Sequence, residues 1–385
     1  MKLLLAPLNW GLGHASRCVP LVRRFLEEGH EVILGGDGES LTLLRKHFPA
    51  LRYVYLASLN LRYSAGQRQV WAMLKAIPKL ILWSIKDHTI LQSILRKEHI
   101  DQVISDNRFG LFISNRRSRS NSVAVQQPSG LTAEGGQTQS VYITHQLHII
   151  LPKGWKWLEP LAERLHARIY RRFDEVWVPD YENFDQSLAG DLSHPNNQSP
   201  ITNHQLKYIG PLSRFSNSPK DGLTAQRSNS VTVQQRSGHY DIVVVLSGLE
   251  PHRSLLEQEI IRRYTNYQSS MTDEQSPITN HQSVLIVEGQ MNKPATTIKR
   301  GNITIVPSLD DDSLVAVLLS AKHIFVRSGY STIMDLHALG LLTSNIKHQT
   351  SNIELLPTPG QPEQEYLAQL HQYSPQKNEG TTELA

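Results

Sequence analysis

Cys18 is the only cysteine in the chain. That excludes an internal disulfide framework and leaves no set of thiolates for a structural zinc site. A reducing compartment fits. Cys18 lies in a helical stretch and reads as a small buried side chain. Long apolar runs are missing too. The most apolar stretch, Val70 to Ile85, is broken by Lys75, Pro78 and Lys79 and cannot span a bilayer. Lys2 to Pro7 is too short for the core of a signal peptide, and Asn9 to Arg17 follows at once. The expectation is a soluble, cytoplasmic protein, with peripheral contact on the inner face of the cell membrane left open. No cluster of Lys and Arg is dense enough to argue for nucleic acid. The net charge of +4 suits an anionic ligand or an anionic membrane surface and chooses neither.

At 385 residues, 39% hydrophobic and 19% charged, the chain has room for two globular domains. Strand and helix patterns alternate along the first half. Lys2–Ala6 reads as a buried strand, Ser16–Glu28 as a helix stopped by Gly29, and Glu31–Leu34 as the next strand. Leu41–His47, Tyr53–Leu56, a long helical region from Gln67 to Arg96, and strands at Gln102–Ser105, Val141–Thr144 and Glu175–Val178 continue the pattern. The second half repeats it. Strands fall at Asp241–Leu246, Ser283–Val287, Ile303–Val306 and His323–Val326, and helices at Ser254–Tyr264, Ser313–Ser320 and Ser331–Leu339. Such alternation predicts parallel sheets covered by helices on both faces. The fold class is therefore α/β, with two Rossmann-like domains facing each other across a cleft. A strand ends in a Gly-Pro break at Tyr208-Ile209-Gly210-Pro211, which divides the chain into domains over 1–207 and 208–373 and a loose tail over 374–385.

Polar stretches interrupt this plan near 115–139, 216–238, 266–282 and 341–352. Arg119 to Gln127 recurs as Arg227 to Gln235, and Gln198 to Gln205 recurs as Gln275 to Gln282. The two pairs have different spacings, which argues against a structural repeat. They read as disordered insertions in surface loops, which makes their His204 and His281 poor ligand candidates.

Gly11-Leu12-Gly13-His14-Ala15-Ser16-Arg17 follows the first strand and opens a helix. Gly11 and Gly13 permit a sharp turn with backbone close to a ligand, and amides at a helix N-terminus attract anions. A neutral His14 there can take a proton from an attacking hydroxyl; a capping or packing residue is the alternative. Asp106-Asn107-Arg108 and His145-Gln146 follow strands at the carboxyl edge of the sheet, where open α/β sheets bind ligands. Asp106 is either a site carboxylate, a helix cap or the ion-pair partner of Arg108. In the second half Ser247-Gly248, with Arg253 beyond, and Arg327-Ser328-Gly329 are strand-to-helix turns suited to a diphosphate. Asp335, two turns along the next helix, could accept hydrogen bonds from ribose hydroxyls. Asp310-Asp311-Asp312 reads as a helix cap, not a metal site. No metal or cofactor is indicated. Trp155-Lys156-Trp157 with Arg164, Arg168, Arg171 and Arg172 reads as a membrane-interface segment or as a solvated helix with its aromatics packed inward.

Taken together, these residues resemble a glycosyltransferase of the GT-B fold, of the family-28 type that includes the lipid-linked peptidoglycan N-acetylglucosaminyltransferase. The C-terminal motifs are the most specific: Arg327-Ser328-Gly329, Asp335 in the place of the family's acidic ribose ligand, and Gln361 to Gln364 before Tyr366. The resemblance implies that Gln361, Gln364 and Glu365 face the donor sugar. It places the Gly11–His14 turn on the acceptor side, with His14 or Asp106 as the base. Arg17, Asn107, His145, Ser247, Gly248, Arg253, Arg327, Ser328 and Gly329 would line the substrates. The implied activity is transfer of a hexose or N-acetylhexosamine from a UDP-sugar to a hydroxyl of a glycan or lipid-linked acceptor, with inversion and no required metal. Two departures stand out. Gln364-Glu365 replaces the family's paired glutamines, and a long link from Gly340 to Pro357 leaves Ile353–Leu356 to supply the family's core strand. Two other readings stay open. UDP-sugar hydrolases of the same fold share a Gly-x-Gly-His-x-x-Arg-Cys turn, present here through Cys18. A non-catalytic nucleotide-sugar binding protein would tolerate the polar insertions.

Overall fold

The structure, a computed structural model, describes residues 1–59, 69–113, 138–194, 205–216, 240–248, 250–266, 282–342 and 352–371. The polar insertions fall almost wholly outside the described residues, as do His204, His281 and the tail.

The first half folds as β1 (Lys2–Pro7), α1 (Gly13–Glu27), β2 (Glu31–Gly36), α2 (Gly38–His47), β3 (Tyr53–Tyr55), α3 (Gln69–Lys97), β4 (Gln102–Asp106), β5 (Gln139–Ile143), α4 (Glu159–Tyr170), β6 (Glu175–Val178) and β7 (Leu206–Tyr208). Its strands form one parallel sheet in the order β3-β2-β1-β4-β5-β6-β7. Leu3, Leu4, Leu5 and Ala6 are all buried, because a central parallel strand is covered on both faces. Leu3 and Leu5 pack with Cys18, Val19 and Val22 of α1. Leu4 and Ala6 point the other way, onto Leu91 and Ile94 of α3. On that same outer face Ala167 and Tyr170 of α4 pack on Tyr142, Val176 and Val178.

The second half comprises β8 (Ile242–Val245), α5 (His252–Asn266), β9 (Val284–Val287), β10 (Ile298–Arg300), β11 (Ile303–Val306), α6 (Asp311–Ser320), β12 (His323–Arg327), α7 (Tyr330–Ala338), β13 (Asn352–Leu356) and α8 (Pro362–His371). The sheet order is β10-β11-β9-β8-β12-β13, parallel except for the edge strand β10. β13 pairs in register with β12, so Ile353–Leu356 is a sheet strand as expected. Asp310 caps α6, its Oδ1 accepting from the Ser313 amide at 2.8 Å, in keeping with the cap reading.

Within the segment Gln361 to Gln364, Pro362 opens α8, with Glu363 and Glu365 in its first turn, where proline and acidic residues favour a helix start. The aromatics near α4 do not all pack inward, since Trp157 is 74% exposed.

Both sheets have one place where the strand order turns back. It lies between β1 and β4 in the first sheet and between β8 and β12 in the second. Crevices outside the carboxyl ends of strands at such points are where open α/β sheets take ligands. The four turns that leave these strands carry Gly11–Arg17, Asp106–Arg108, Ser247–Gly248 and Arg327–Gly329.

Candidate active site

At the first switch point Asp106 ends β4, wholly buried. Arg17, one turn into α1, donates from Nε to Asp106 Oδ2 at 2.7 Å and from Nη2 to Oδ1. His14 Nδ1 lies 3.0 Å from Asp106 Oδ1. Burial alone would push the Asp106 carboxyl up, but Arg17 and His14 together outweigh it and hold it well below the usual carboxylate range. Asp106 therefore stays an anion. Burial lowers the affinity of His14 for a proton; Asp106 opposes this, and Arg17 and His145 add to it, for a net fall. His14 is therefore neutral near pH 7. Arg17 Nη2 also sits 2.9 Å from His14 Nδ1, yet the anionic Asp106 is the stronger acceptor. The arrangement favours the tautomer with the proton on Nδ1, which leaves the Nε2 lone pair as a proton acceptor. Arg108 is not the partner of Asp106: its guanidinium is paired with Asp87 at 2.9 and 3.0 Å. Cys18 Sγ lies 3.7 Å from Asp106 Oδ2, and burial raises its thiol well above the ordinary value, so it is an inert packing group.

Asn107 follows with φ of 59°, the left-handed region that asparagine tolerates better than most residues. Its Oδ1 accepts from Tyr142 Oη at 2.8 Å, which fixes the turn.

At the second switch point Arg327 ends β12. It donates from Nη1 to the Pro357 carbonyl at 3.0 Å and from Nη2 to the His252 carbonyl at 2.9 Å. Of the buried arginines Arg17, Arg108 and Arg327, only Arg327 has no carboxylate partner among the described residues, and its Nε is buried without an acceptor. Burial lowers its affinity for a proton to about 10. A cation held this way is balanced best by an incoming anion. Gly329 precedes α7 as an N-cap with no side chain, and α1 likewise starts without a side-chain cap. Both helix ends leave amides open to an anion. Ser328 Oγ donates to the Gln364 carbonyl at 2.7 Å, and the Thr358 amide donates to Gln364 Oε1 at 2.9 Å. A methyl group on Gly329 would lie 4.0 Å from Gln364 Nε2, so the Gln364 amide stands beside this turn.

The two turns meet. Ser331 Oγ of α7 donates to the Gly13 carbonyl at 2.9 Å, and a methyl group on Gly13 would come within 2.8 Å of that oxygen. A methyl group on Gly11 would be 3.8 Å from Gly248, whose φ is 91°. His145 stacks on Tyr330 with centroids 4.3 Å apart. Its Nδ1 is 3.3 Å from Arg17 Nη1, and its Nε2 is 2.7 Å from Glu363 Oε1. Gln146 donates to the other Glu363 oxygen. Burial would raise the Glu363 carboxyl, but His145 and Arg17 prevail and lower it. A continuous polar chain therefore runs from His14 through Asp106, Arg17 and His145 to Glu363 on the opposite half.

The structure thus brings Gly11, Gly13, His14, Arg17, Asp106 and His145 together with Gly248, Ser331, Tyr330 and Glu363. It places Arg327, Ser328, Gly329 and Gln364 around one turn. Gln361 lies in the preceding bend, its amide bonded to the Thr358 carbonyl at 3.0 Å. Ser247 adjoins Gly248 at the end of β8. Three expected residues are disposed otherwise. Arg253 is tied to Glu250 at 3.1 Å and Glu39 at 3.8 Å, so its charge is already met. Asp335 accepts from Ser213 Oγ at 2.6 Å, with Arg214 at 3.8 Å, and burial raises its carboxyl to about 6. Glu365 is exposed, and Glu363 is the acid that reaches the junction. Glu363 was missed because choosing between two acids of one segment needs the phase of α8. Leu367, one turn on and fully buried, gives that phase in the sequence.

No protein-family model matches the chain. A curated protein of Methanosarcina acetivorans, named an uncharacterized glycosyltransferase, is 23% identical over 242 residues, 60% of this chain and 56% of that protein. Another of the same name and organism is 52% identical over 46 residues, 12% of each chain. The matched region thus spans little more than half of the first relative. Among solved structures, a glycotransferase of kitacinnamycin superposes with a TM-score of 0.50 at 13% identity, covering 95% of this chain and 83% of that one. A spinosyn forosaminyltransferase does so with a TM-score of 0.50 at 14% identity, covering 96% and 83%. The likeness establishes the fold: two parallel-sheet α/β domains in the GT-B arrangement.

Proposed function

We propose that this protein is a UDP-sugar-dependent glycosyltransferase that moves a hexose or N-acetylhexosamine to an acceptor hydroxyl with inversion. One observation carries the reading. A neutral histidine, oriented by a buried carboxylate at the uncapped start of α1 on one half, meets the uncapped start of α7 and an unbalanced buried arginine on the other. In this mechanism the acceptor oxygen attacks the anomeric carbon as its proton passes to His14 Nε2, and the bond from that carbon to the diphosphate breaks. Asp106 stabilises the imidazolium that forms. Charge on the departing diphosphate is met by amides at Gly329 and Gly248 and by Arg327, with no metal required. Gln364 stands where it can reach the sugar hydroxyls. The name carried by the Methanosarcina relative supports glycosyl transfer, and the C-terminal motifs favour the family-28 type with a glycan or lipid-linked acceptor. The chain then divides into an acceptor domain over 1–207 and a donor domain over 208–373, acting in the cytoplasm.

The first test is a thermal melt with and without UDP. UDP is expected to raise the melting temperature of the wild type and to leave Arg327→Ala unmoved. A folded wild type that ignores UDP and other nucleoside diphosphates would overturn the reading.

One feature favours a second reading, UDP-sugar hydrolysis. His14, Arg17 and Cys18 all converge on Asp106, so the entire turn shared with such hydrolases is in use. Sugar release that is rapid in water alone and indifferent to added acceptor hydroxyls would select the hydrolase. A chain that binds UDP but turns over no sugar donor would be a binding protein.

A further inference from the structure

Asn107 is the one residue of the turn Ser105–Arg108 that reaches solvent, since Ser105, Asp106 and Arg108 are buried. It directly follows the carboxylate that orients His14, in the crevice at the first switch point. The turn is fastened on both sides of it. Ser105 Oγ donates to the Arg108 carbonyl at 2.6 Å, and the Arg108 guanidinium is held by Asp87 and by the Ala57 carbonyl. What the Asn107 carboxamide offers to the crevice depends on which way round it lies. Its oxygen accepts hydrogen bonds, and its nitrogen donates two.

A histidine of α4 sets that orientation. Tyr142 Oη lies 2.8 Å from Asn107 Oδ1 and 3.5 Å from His166 Nε2. Burial raises the Tyr142 phenol well above its ordinary value, so it keeps its proton and has one hydrogen to donate. Burial also lowers His166 to about 4, so the ring is neutral and carries a hydrogen on one nitrogen only. His166 Nδ1 is buried with no hydrogen-bond partner among the described residues. A hydrogen on Nδ1 would be a buried donor without an acceptor, which is costlier than an idle lone pair. The hydrogen therefore sits on Nε2 and is donated to the Tyr142 oxygen. Tyr142 in turn donates to Asn107, whose facing atom must be an acceptor. That atom is Oδ1, and both hydrogens on Nδ2 are left for the crevice.

We infer that His166 is a positioning residue: through Tyr142 it holds the Asn107 carboxamide with its N–H2 edge toward the crevice, where that edge donates to an oxygen of the acceptor molecule beside the hydroxyl that His14 deprotonates. The direction of the hydrogen-bond chain stands on its own, and the identity of the bound molecule rests on the transfer reading. Two measurements on the full chain test the inference. Nitrogen-15 spectra of labelled histidines report the tautomer whatever the activity, with His166→Gln identifying the signal. Near neutral pH His166 should carry its hydrogen on Nε2. A hydrogen on Nδ1, or a charged ring, would overturn the inference. The second measurement is steady-state transfer from UDP-glucose or UDP-N-acetylglucosamine to methyl or octyl β-D-glucopyranoside. His166→Leu should raise the acceptor KM about fivefold and keep kcat within about twofold, as expected for a hydrogen bond that substrate and transition state share. His166→Gln, whose amide can still donate to Tyr142, should stay within about twofold of the wild-type KM. In a Tyr142→Phe background His166→Leu should add nothing, because the histidine acts through the phenol. Asn107→Asp, which presents oxygens in place of the N–H2 edge, should raise KM at least as much as His166→Leu. Equal losses in His166→Gln and His166→Leu, or additive effects of His166→Leu and Tyr142→Phe, would make His166 a packing residue and overturn the inference. A wild type that transfers to neither glucoside yet shows the Nε2 tautomer would count against the transfer reading alone.

Discussion

Replacing Asp106 by asparagine would leave Arg17 buried without the carboxylate that balances it, and His14 without the anion that sets its tautomer. Asp106→Asn should therefore lower stability by about 3–5 kcal/mol, measured by denaturant unfolding, and also suppress turnover. His14→Ala separates the two effects. It should reduce turnover by about 10²–10⁴-fold while UDP still raises the melting temperature. Loss of nucleotide binding together with turnover would remove His14 from the role of base. The lowered proton affinity of His14 also fixes the pH profile. As a base His14 works unprotonated, so kcat/KM should fall on the acid side with a midpoint below the ordinary imidazole value of about 6.5. A midpoint above that value would point to another group. His14, Asp106 and Arg17 were all legible in the sequence as residues next to turns. Their convergence was not, because Asp106 and Arg17 meet only when β4 is laid beside β1.

At the scale of elements, the strand-to-helix turns were the most legible feature, since buried apolar runs ending in glycine mark both the strand and its carboxyl end. The phase of short helices was harder to read. In α8 a shift of two residues separates exposed Glu365 from Glu363, which bonds His145. In α7 the same difficulty concerns Asp335, which faces Ser213 and Arg214. Burial raises the Asp335 carboxyl from 3.8 to about 6. The folded chain therefore binds this proton more tightly than the unfolded chain, and stability falls as pH rises from about 4 to about 6 and stays lower above. Asp335→Asn keeps an acceptor for Ser213 and removes that penalty. It should stabilise the protein by about 1–3 kcal/mol at pH 8 and change little at pH 4. Melts of equal gain at both pH values would contradict the assignment. UDP affinity measured on the same variant tests the ribose role.

For the whole molecule, alternation of strands and helices was enough to read two parallel-sheet halves, because parallel strands need crossovers and the crossovers are helices. How the halves touch was not legible: the contacts join residues far apart in the chain, such as Gly13 with Ser331 and His145 with Glu363. Gly13→Ala tests that junction. Its methyl group would lie 2.8 Å from Ser331 Oγ, so the hydroxyl must swing away or the halves must part. The variant should bind UDP more weakly than the wild type. Adding Ser331→Ala, which removes the crowded oxygen, should restore part of the affinity. No change in either variant would mean that the nucleotide does not sense this contact.

The polar chain from His14 to Glu363 also bears on how such a protein can be recombined. GT-B halves invite treatment as exchangeable modules, one for each substrate. Here the groups that hold His14 in the first half end on an acid supplied by the second. A chimera that takes its second half from a homologue without an acid at position 363 would leave His145 and Gln146 without their shared acceptor. If the halves divide donor from acceptor as proposed, donor specificity cannot be transplanted in this chain without carrying His145 and Gln146 of the first half along with Glu363.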